Sequence, residues 1–285
     1  MASLYTSWLT LMRDVQTGGS ALRPCIKASG PGGDSNVIDG QPSCLGAVSN
    51  VVPGNTHHDQ LPGDPSWMVA FPLVYSLQHR YLGDARLASE LYPNIRSYTD
   101  FLQRTGHGGL VTYSQFGDWL QPGRVKSPAI ISEMSSAFNH LQTLRIVRDS
   151  ANALGHAADA TRYGDSFNKL RKLFHARYFD VATRVYGNGQ QSAFVYALYL
   201  GATPPELEAE MFGKLLSLIY SSAQPPDHNT SASQQCSATP CIDTGIIATK
   251  WLMELLSLKG RTDVGLELAF GSEYPSWGFM ALQNS

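Results

Sequence analysis

One periodicity governs this chain: apolar residues recur three and four positions apart from end to end, and the strict alternation of a half-buried strand is nearly absent. Leu87, Leu91, Ile95, Tyr98 and Leu102 form one such face, and Leu141, Leu144, Val147, Ala151 and Leu154 form another. Beyond Gly155 the pattern resumes with Tyr163, Phe167, Leu170, Phe174 and Tyr178, so two helices joined by a few residues must run antiparallel. Thr203-Pro204-Pro205-Glu206 has the spacing of a capping box and opens a helix carrying Leu207, Met211, Leu215 and Leu218. A further helix is expected from Asp243 through Ile247, Trp251 and Leu255 to Gly260, and a short one from Thr262 with Val264, Leu266 and Ala269 inward. Leu4, Trp8, Leu11, Met12 and Val15 give the first helix its apolar face. These patterns predict an all-α chain of about nine or ten helices, each packed along one side.

Two stretches break the pattern, Gly18 to Pro65 and Ser222 to Cys241, both rich in Gly, Pro, Ser, Asn or Gln. Both read as long loops, and long ordered loops in a compact helical domain tend to cover or form a binding site. With 43% hydrophobic and 15% charged residues, 285 residues can bury a sizeable core. Twenty-one basic against 23 acidic residues, without long runs of either sign, do not favour a nucleic acid as partner. A neutral small molecule fits better. No stretch reaches the roughly 18 to 20 apolar residues of a bilayer span, and the first helix lacks the layout of a signal peptide. The cysteines lie in two local pairs, Cys25 with Cys44 and Cys236 with Cys241, open to disulfides or free thiols. With the single glycosylation triplet Asn229-Thr230-Ser231 they are compatible with an extracellular location, which the sequence leaves undetermined.

The chemistry concentrates in three segments that combine tryptophan with an acid beside a helix: Gly63-Asp64-Pro65-Ser66-Trp67, Phe116-Gly117-Asp118-Trp119-Leu120 and Glu273-Tyr274-Pro275-Ser276-Trp277-Gly278-Phe279. An indole face packs on the C–H face of a sugar while a carboxylate accepts its hydroxyls, so the recurrence points to a carbohydrate. Each segment also has a plainer reading: tryptophan as packing, and Asp before Pro or Trp as a helix cap. Asp64 is well placed to cap the helix that continues through Met68, Phe71 and Val74. His57, His58 and Asp59 lack the spacing of a metal site, and no nucleophile elbow or phosphate loop is present. Glu133 and His140 share a helix face, with His140 at the border of an apolar stripe, the position of a packed core histidine.

Taken in order, these segments resemble the catalytic domain of the bacterial-type α-L-rhamnosidases, family 78 of the glycoside hydrolases. The resemblance runs from Tyr5 to Gln16 through Gly63 to Trp67, Tyr81-Leu82-Gly83-Asp84, Tyr92-Pro93 and Gly117-Asp118-Trp119. It continues through Leu173 to Asp180, Tyr186-Gly187-Asn188-Gly189-Gln190-Gln191, Ala197 to Gly201, Asp243-Thr244-Gly245 and Tyr274 to Met280. It implies an (α/α)6 toroid of six hairpins, here incomplete, with residues 1–285 a single domain. It also implies hydrolysis of terminal α-linked L-rhamnose with inversion, and no cofactor.

Inversion requires two carboxyl groups roughly 6.5 to 9.5 Å apart with a water between them. In the family the proton donor lies in an acidic cluster upstream of the helix that begins this chain, and the base in a Thr-Thr-x-Trp-Glu segment beyond the Pro-Ser-Trp-Gly motif. Neither matches a position here. The carry-over is therefore restricted to substrate-binding residues: Asp64, Trp67, Asp118, Trp119, Trp277 and Thr244, with no catalytic residue and no metal ligand. The expected partner is a small rhamnoside, with neither nucleic acid nor membrane, and an open toroid is compatible with a homo-oligomer. The alternative is a sugar-binding pseudoenzyme that keeps the pocket without its acid and base.

Overall fold

A computed structural model describes residues 2–16, 44–53, 62–123, 125–221 and 240–283. Most of the two expected loops lies outside these residues, as do His57, His58, Asp59, Cys25, Cys236 and Asn229-Thr230-Ser231. Cys44 and Cys241 are both disulfide-bonded.

Among the described residues the chain is helical apart from one minimal hairpin. The helices are α1 (Ala2–Val15), α2 (Pro65–Met68), α3 (Ala70–Leu82), α4 (Ala85–Thr105), α5 (Ala129–Ala153) and α6 (Ala157–Tyr178), followed by α7 (Gln191–Tyr199), α8 (Pro205–Ile219), α9 (Ala248–Leu258), α10 (Thr262–Phe270) and α11 (Trp277–Gln283). Strand β1 (Phe179–Asp180) pairs antiparallel with β2 (Val185–Tyr186) in the register Phe179 to Tyr186. The helix count exceeds the sequence expectation partly because α2 and α3 are separate. Pro72 lacks the N–H that would bond to the Met68 carbonyl, so the first turn stops and the ladder restarts where Leu73 N donates to Val69 O at 2.8 Å.

Two compact units form, residues 1–115 with 136–173, and residues 116–135 with 174–285. In the first, the predicted face of α4 is buried throughout, from Leu87 to Leu102. Gly83, at φ 65°, ends α3 in the left-handed conformation, and Asp84 then caps α4 through a bond from Leu87 N at 2.9 Å. The expected α5–α6 hairpin is present. An added Cβ at Gly164 would meet Arg148, and Arg148 lies 5.5 Å from the Phe167 ring, pairings that only antiparallel neighbours give. Tyr92 and Arg96 reach Asp159, and Arg162 and Tyr163 reach Asp100, lacing α4 to α6. His140 is fully buried, and burial drives its imidazole down to about 3, so it stays neutral in the folded protein.

Four details differ from the sequence reading. The buried pair on α1 is Leu9 and Met12, while Leu4, Leu11 and Val15 remain exposed. The Thr203 capping box does not form: Pro204 occupies the cap position of α8 without a side-chain bond, and the Thr203 hydroxyl accepts from Tyr186 Oη at 3.1 Å instead. Residues Asp243–Ile247 form a turn before α9, not its first helical residues, because an acid from elsewhere in the chain supplies the cap. In α10 the inward residues are Val264 and Leu268, with Leu266 exposed. No described helix is long and apolar enough to cross a membrane.

Candidate functional site

The second unit holds a cavity of about 440 Å³ beside the turn that precedes α9. Thr244, Gly245, Ile246, Thr249 and Lys250 form one side, Pro275, Ser276, Trp277 and Met280 the other, and Leu120 joins them. Trp277 is 41% exposed and opens α11, so its indole is available to a ligand. Ser276 caps that helix: its Oγ accepts from Phe279 N at 3.0 Å and donates to the Gly271 carbonyl.

The turn is built by Asp118, which is wholly buried. Its Oδ1 accepts from the amides of Ile247 (3.1 Å) and Ala248 (2.9 Å), and its Oδ2 accepts from Gly245 N (2.9 Å) and Ser192 Oγ (2.5 Å). The first amides of a helix have no partner within it, and a carboxylate there also meets the favourable end of the helix dipole. Asp118 is thus the cap of α9 supplied from a distant segment. Burial raises its carboxyl above the ordinary value, against the opposing pull of the Ser192 hydroxyl and the three amides. The backbones are zipped as well, with Ile246 N donating to Trp119 O at 2.9 Å. A Cβ at Gly245 would stand 2.3 Å from Asp118 O, so only glycine permits this approach.

Gln191 pins the other end of the turn. Its Nε2 donates to Cys241 O at 2.9 Å and its Oε1 accepts from Asp243 N at 3.0 Å, while Gln121 Nε2 reaches Asp243 O at 3.3 Å. Inside the cavity, Thr244 Oγ1 lies 2.7 Å from Thr249 Oγ1, which itself bonds to Gly245 O at 2.7 Å.

The six residues expected to bind substrate therefore divide. Thr244 and Trp277 line the cavity. Trp119 is half-buried, edge-on to Phe116 at 5.4 Å between ring centres, and adjoins the cavity only through Leu120 and its own carbonyl. Asp118 has no exposed surface and acts on the cavity from behind. Asp64 and Trp67 belong to the first unit. Asp64 is also wholly buried and caps α2: its Oδ1 accepts from Ser66 N (2.7 Å), and its Oδ2 accepts from Ser114 Oγ (2.9 Å) and Gln115 N (2.5 Å). For both acids the capping role is the one the hydrogen bonds express, and neither offers an oxygen to solvent. Lys250, Ser276, Ile246 and Leu120 escaped the sequence reading of the site. Only Ser276 and Leu120, each inside a quoted motif, carried any signal.

A family model for the bacterial alpha-L-rhamnosidase 6 hairpin glycosidase domain matches residues 1–285. The chain belongs to this family. Among curated relatives, an alpha-L-rhamnosidase of Alteromonas sp. (strain LOR) is 30% identical over 210 residues, covering 71% of this chain and 21% of that protein. One from Streptomyces avermitilis is 26% identical over 278 residues, 98% of this chain and 22% of the relative. The rhamnosidase-type domain thus spans about a fifth of the length of either. Among solved structures, the alpha-L-rhamnosidase of Dictyoglumus thermophilum superposes with a TM-score of 0.79 at 23% identity, covering 99% of this chain and 27% of that one. The Streptomyces avermitilis enzyme complexed with L-rhamnose gives 0.71 at 22% identity, over 100% of this chain and 23% of that one. At these identities the structures establish a shared fold, and with it the all-α, six-hairpin class of this domain.

Proposed function

We propose that the chain is the sugar-binding portion of an α-L-rhamnosidase that releases terminal α-linked L-rhamnose with inversion, and that the cavity at Thr244 and Trp277 is part of its rhamnoside site. The observation that carries this reading is the exposed indole of Trp277 facing a turn that Asp118, Gln191 and Gln121 hold rigid. A preformed wall with one aromatic platform suits a small ligand of fixed shape. L-rhamnose fits this chemistry, since its 6-deoxy carbon leaves a methyl group beside the C–H face that stacks on indole. The acid and base of an inverting mechanism have no counterpart in Asp64 or Asp118, whose oxygens are committed to backbone amides and hydroxyls. Neither of these two acids is therefore the acid or base of the reaction on this reading.

The test is turnover by a polypeptide that joins this domain to the two acidic segments. It should release nitrophenol from 4-nitrophenyl α-L-rhamnoside, with β-L-rhamnose as the first anomer seen by proton NMR, and Trp277→Ala should lower kcat/KM. Absence of turnover, or α-L-rhamnose as the first product, would contradict the proposal.

A further inference from the structure

The first helix carries two apolar stripes, and the fold covers one of them. Leu9 and Met12 are buried. Leu4, Trp8, Leu11 and Val15 follow one another at intervals of four, three and four residues, the spacing of a coiled-coil seam. Trp8 is half-buried and the other three are exposed. Beside this seam, between α1 and α3, runs a groove of about 500 Å³, walled by Tyr5 and Trp8 from α1 and by Val74, Leu77, Tyr81 and Leu82 from α3, with the buried amide of Gln78 among them. None of these described lining residues is charged. The indole of Trp8 is fixed in place, since its Nε1 donates to Val52 O at 2.8 Å.

The extent of this face is that of an interface. Leu4, Tyr5, Leu11, Val15, Tyr81 and Leu82 are each between 40% and 75% exposed. Together they leave on the order of 700 Å² of side chain open, against roughly 800 Å² per partner in a stable protein–protein interface and roughly 300 to 600 Å² for the largest apolar patch of an ordinary monomer. The seam is also self-complementary. Antiparallel pairing about a point midway between Trp8 and Leu11 sets Leu4 against Val15 of a second copy and Trp8 against its Leu11. That arrangement opposes the two helix dipoles and carries the exposed Asp14 toward the first turn of the other helix, where a carboxylate is favoured. Parallel pairing would align the dipoles and set Asp14 beside its own copy.

We infer that α1 and α3 form a two-fold interface between two copies of this chain, with α1 of each copy laid antiparallel along α1 of the other and over the groove beside it. Two helices from each copy then make a four-helix bundle whose centre is the paired seams. The interface uses no residue of the cavity beside α9, so it holds or fails apart from the rhamnoside reading.

The experiment is analytical ultracentrifugation of the chain. Between about 1 and 100 μM it should sediment as a particle of twice the monomer mass, giving way to monomer only toward the dilute end. Leu11→Glu and Tyr81→Glu, both at exposed positions, should each raise the dissociation constant at least about tenfold with an unchanged far-ultraviolet spectrum. Leu258→Glu, at a still more exposed leucine on α9, should leave the mass as it was. A monomer throughout, a dimer that Leu11→Glu and Tyr81→Glu leave intact, or one that Leu258→Glu splits as readily would overturn the inference. In a longer rhamnosidase polypeptide that carries this domain the same dimer should persist. A monomer there, destabilised by Leu11→Glu, would give the face to another part of its own chain and overturn the pairing as well.

Discussion

Replacing Asp118 by alanine removes the acceptor for three backbone amides and one hydroxyl at a site closed to water. A buried donor left without a partner costs about 1 to 3 kcal/mol. Ser192 can turn its hydroxyl elsewhere and the buried carboxylate no longer has to be desolvated, so the three amides dominate and the expected loss is about 3 to 5 kcal/mol. Asp118→Asn keeps the volume and one oxygen, which can still serve Ile247 and Ala248, but it turns an NH2 toward Gly245 N and the Ser192 hydroxyl. Its cost should be roughly half, about 2 kcal/mol. Urea denaturation at pH 7 followed by far-ultraviolet circular dichroism measures both. Hydrogen exchange should show the amides of residues 245, 247 and 248 losing protection in the alanine variant, and that of residue 245 alone in the asparagine variant. An alanine variant within about 1 kcal/mol of the parent protein would refute the view that this carboxylate holds the turn.

Three further outcomes follow from the same geometry. Neutral buried His140 has a folded value of about 3 against an unfolded value near 6.5, so its contribution is complete above pH 6.5 and fades as the pH falls through that window. Between pH 7 and pH 5 this amounts to about 2 kcal/mol, and denaturation at the two pH values should show the difference shrink by that amount in His140→Leu. Asp159, drawn below the ordinary carboxylate value by Tyr92 and Arg96 against opposing burial, acts in a more acid window: its contribution is present above about pH 4 and lost below it. Asp159→Asn should flatten the stability curve only there. Gly245→Ala would drive a methyl group into Asp118 O and Trp119 O, at 2.3 and 2.5 Å before relaxation. It should lower stability by roughly 1 to 3 kcal/mol and weaken rhamnoside binding, both absent if the turn can shift freely.

The helices were readable because their faces are local. Leu87 to Leu102 repeat within one element, and the α5–α6 turn is short enough that its geometry follows from length. The all-α class and the rhamnosidase resemblance were therefore visible in the sequence. The face of α1 was misjudged because Trp8 and Leu11 have the right spacing but Leu9 and Met12 are the pair the neighbours cover. Thr203 had the sequence of a cap, yet Tyr186 competes for its oxygen. The site was legible only in part. Trp277 and Thr244 lie where the motifs suggested, whereas Asp118 spends its carboxylate on amides 127 to 130 residues away, a separation no local pattern encodes. Gln191 is another such case: it sits inside a quoted motif, but its role depends on meeting Cys241 and Asp243 in space. Leu120 lay inside a quoted motif, yet its left-handed backbone, at φ 57°, is not written in the sequence.

The most direct test of the account is titration of this chain with L-rhamnose beside D-mannose and L-fucose, in the parent protein and in Trp277→Ala. Saturable binding of L-rhamnose, weaker for the other two sugars and diminished by the tryptophan replacement, is the predicted result. A fully folded chain that takes up no L-rhamnose, or binds all three alike with Trp277 absent, would contradict it.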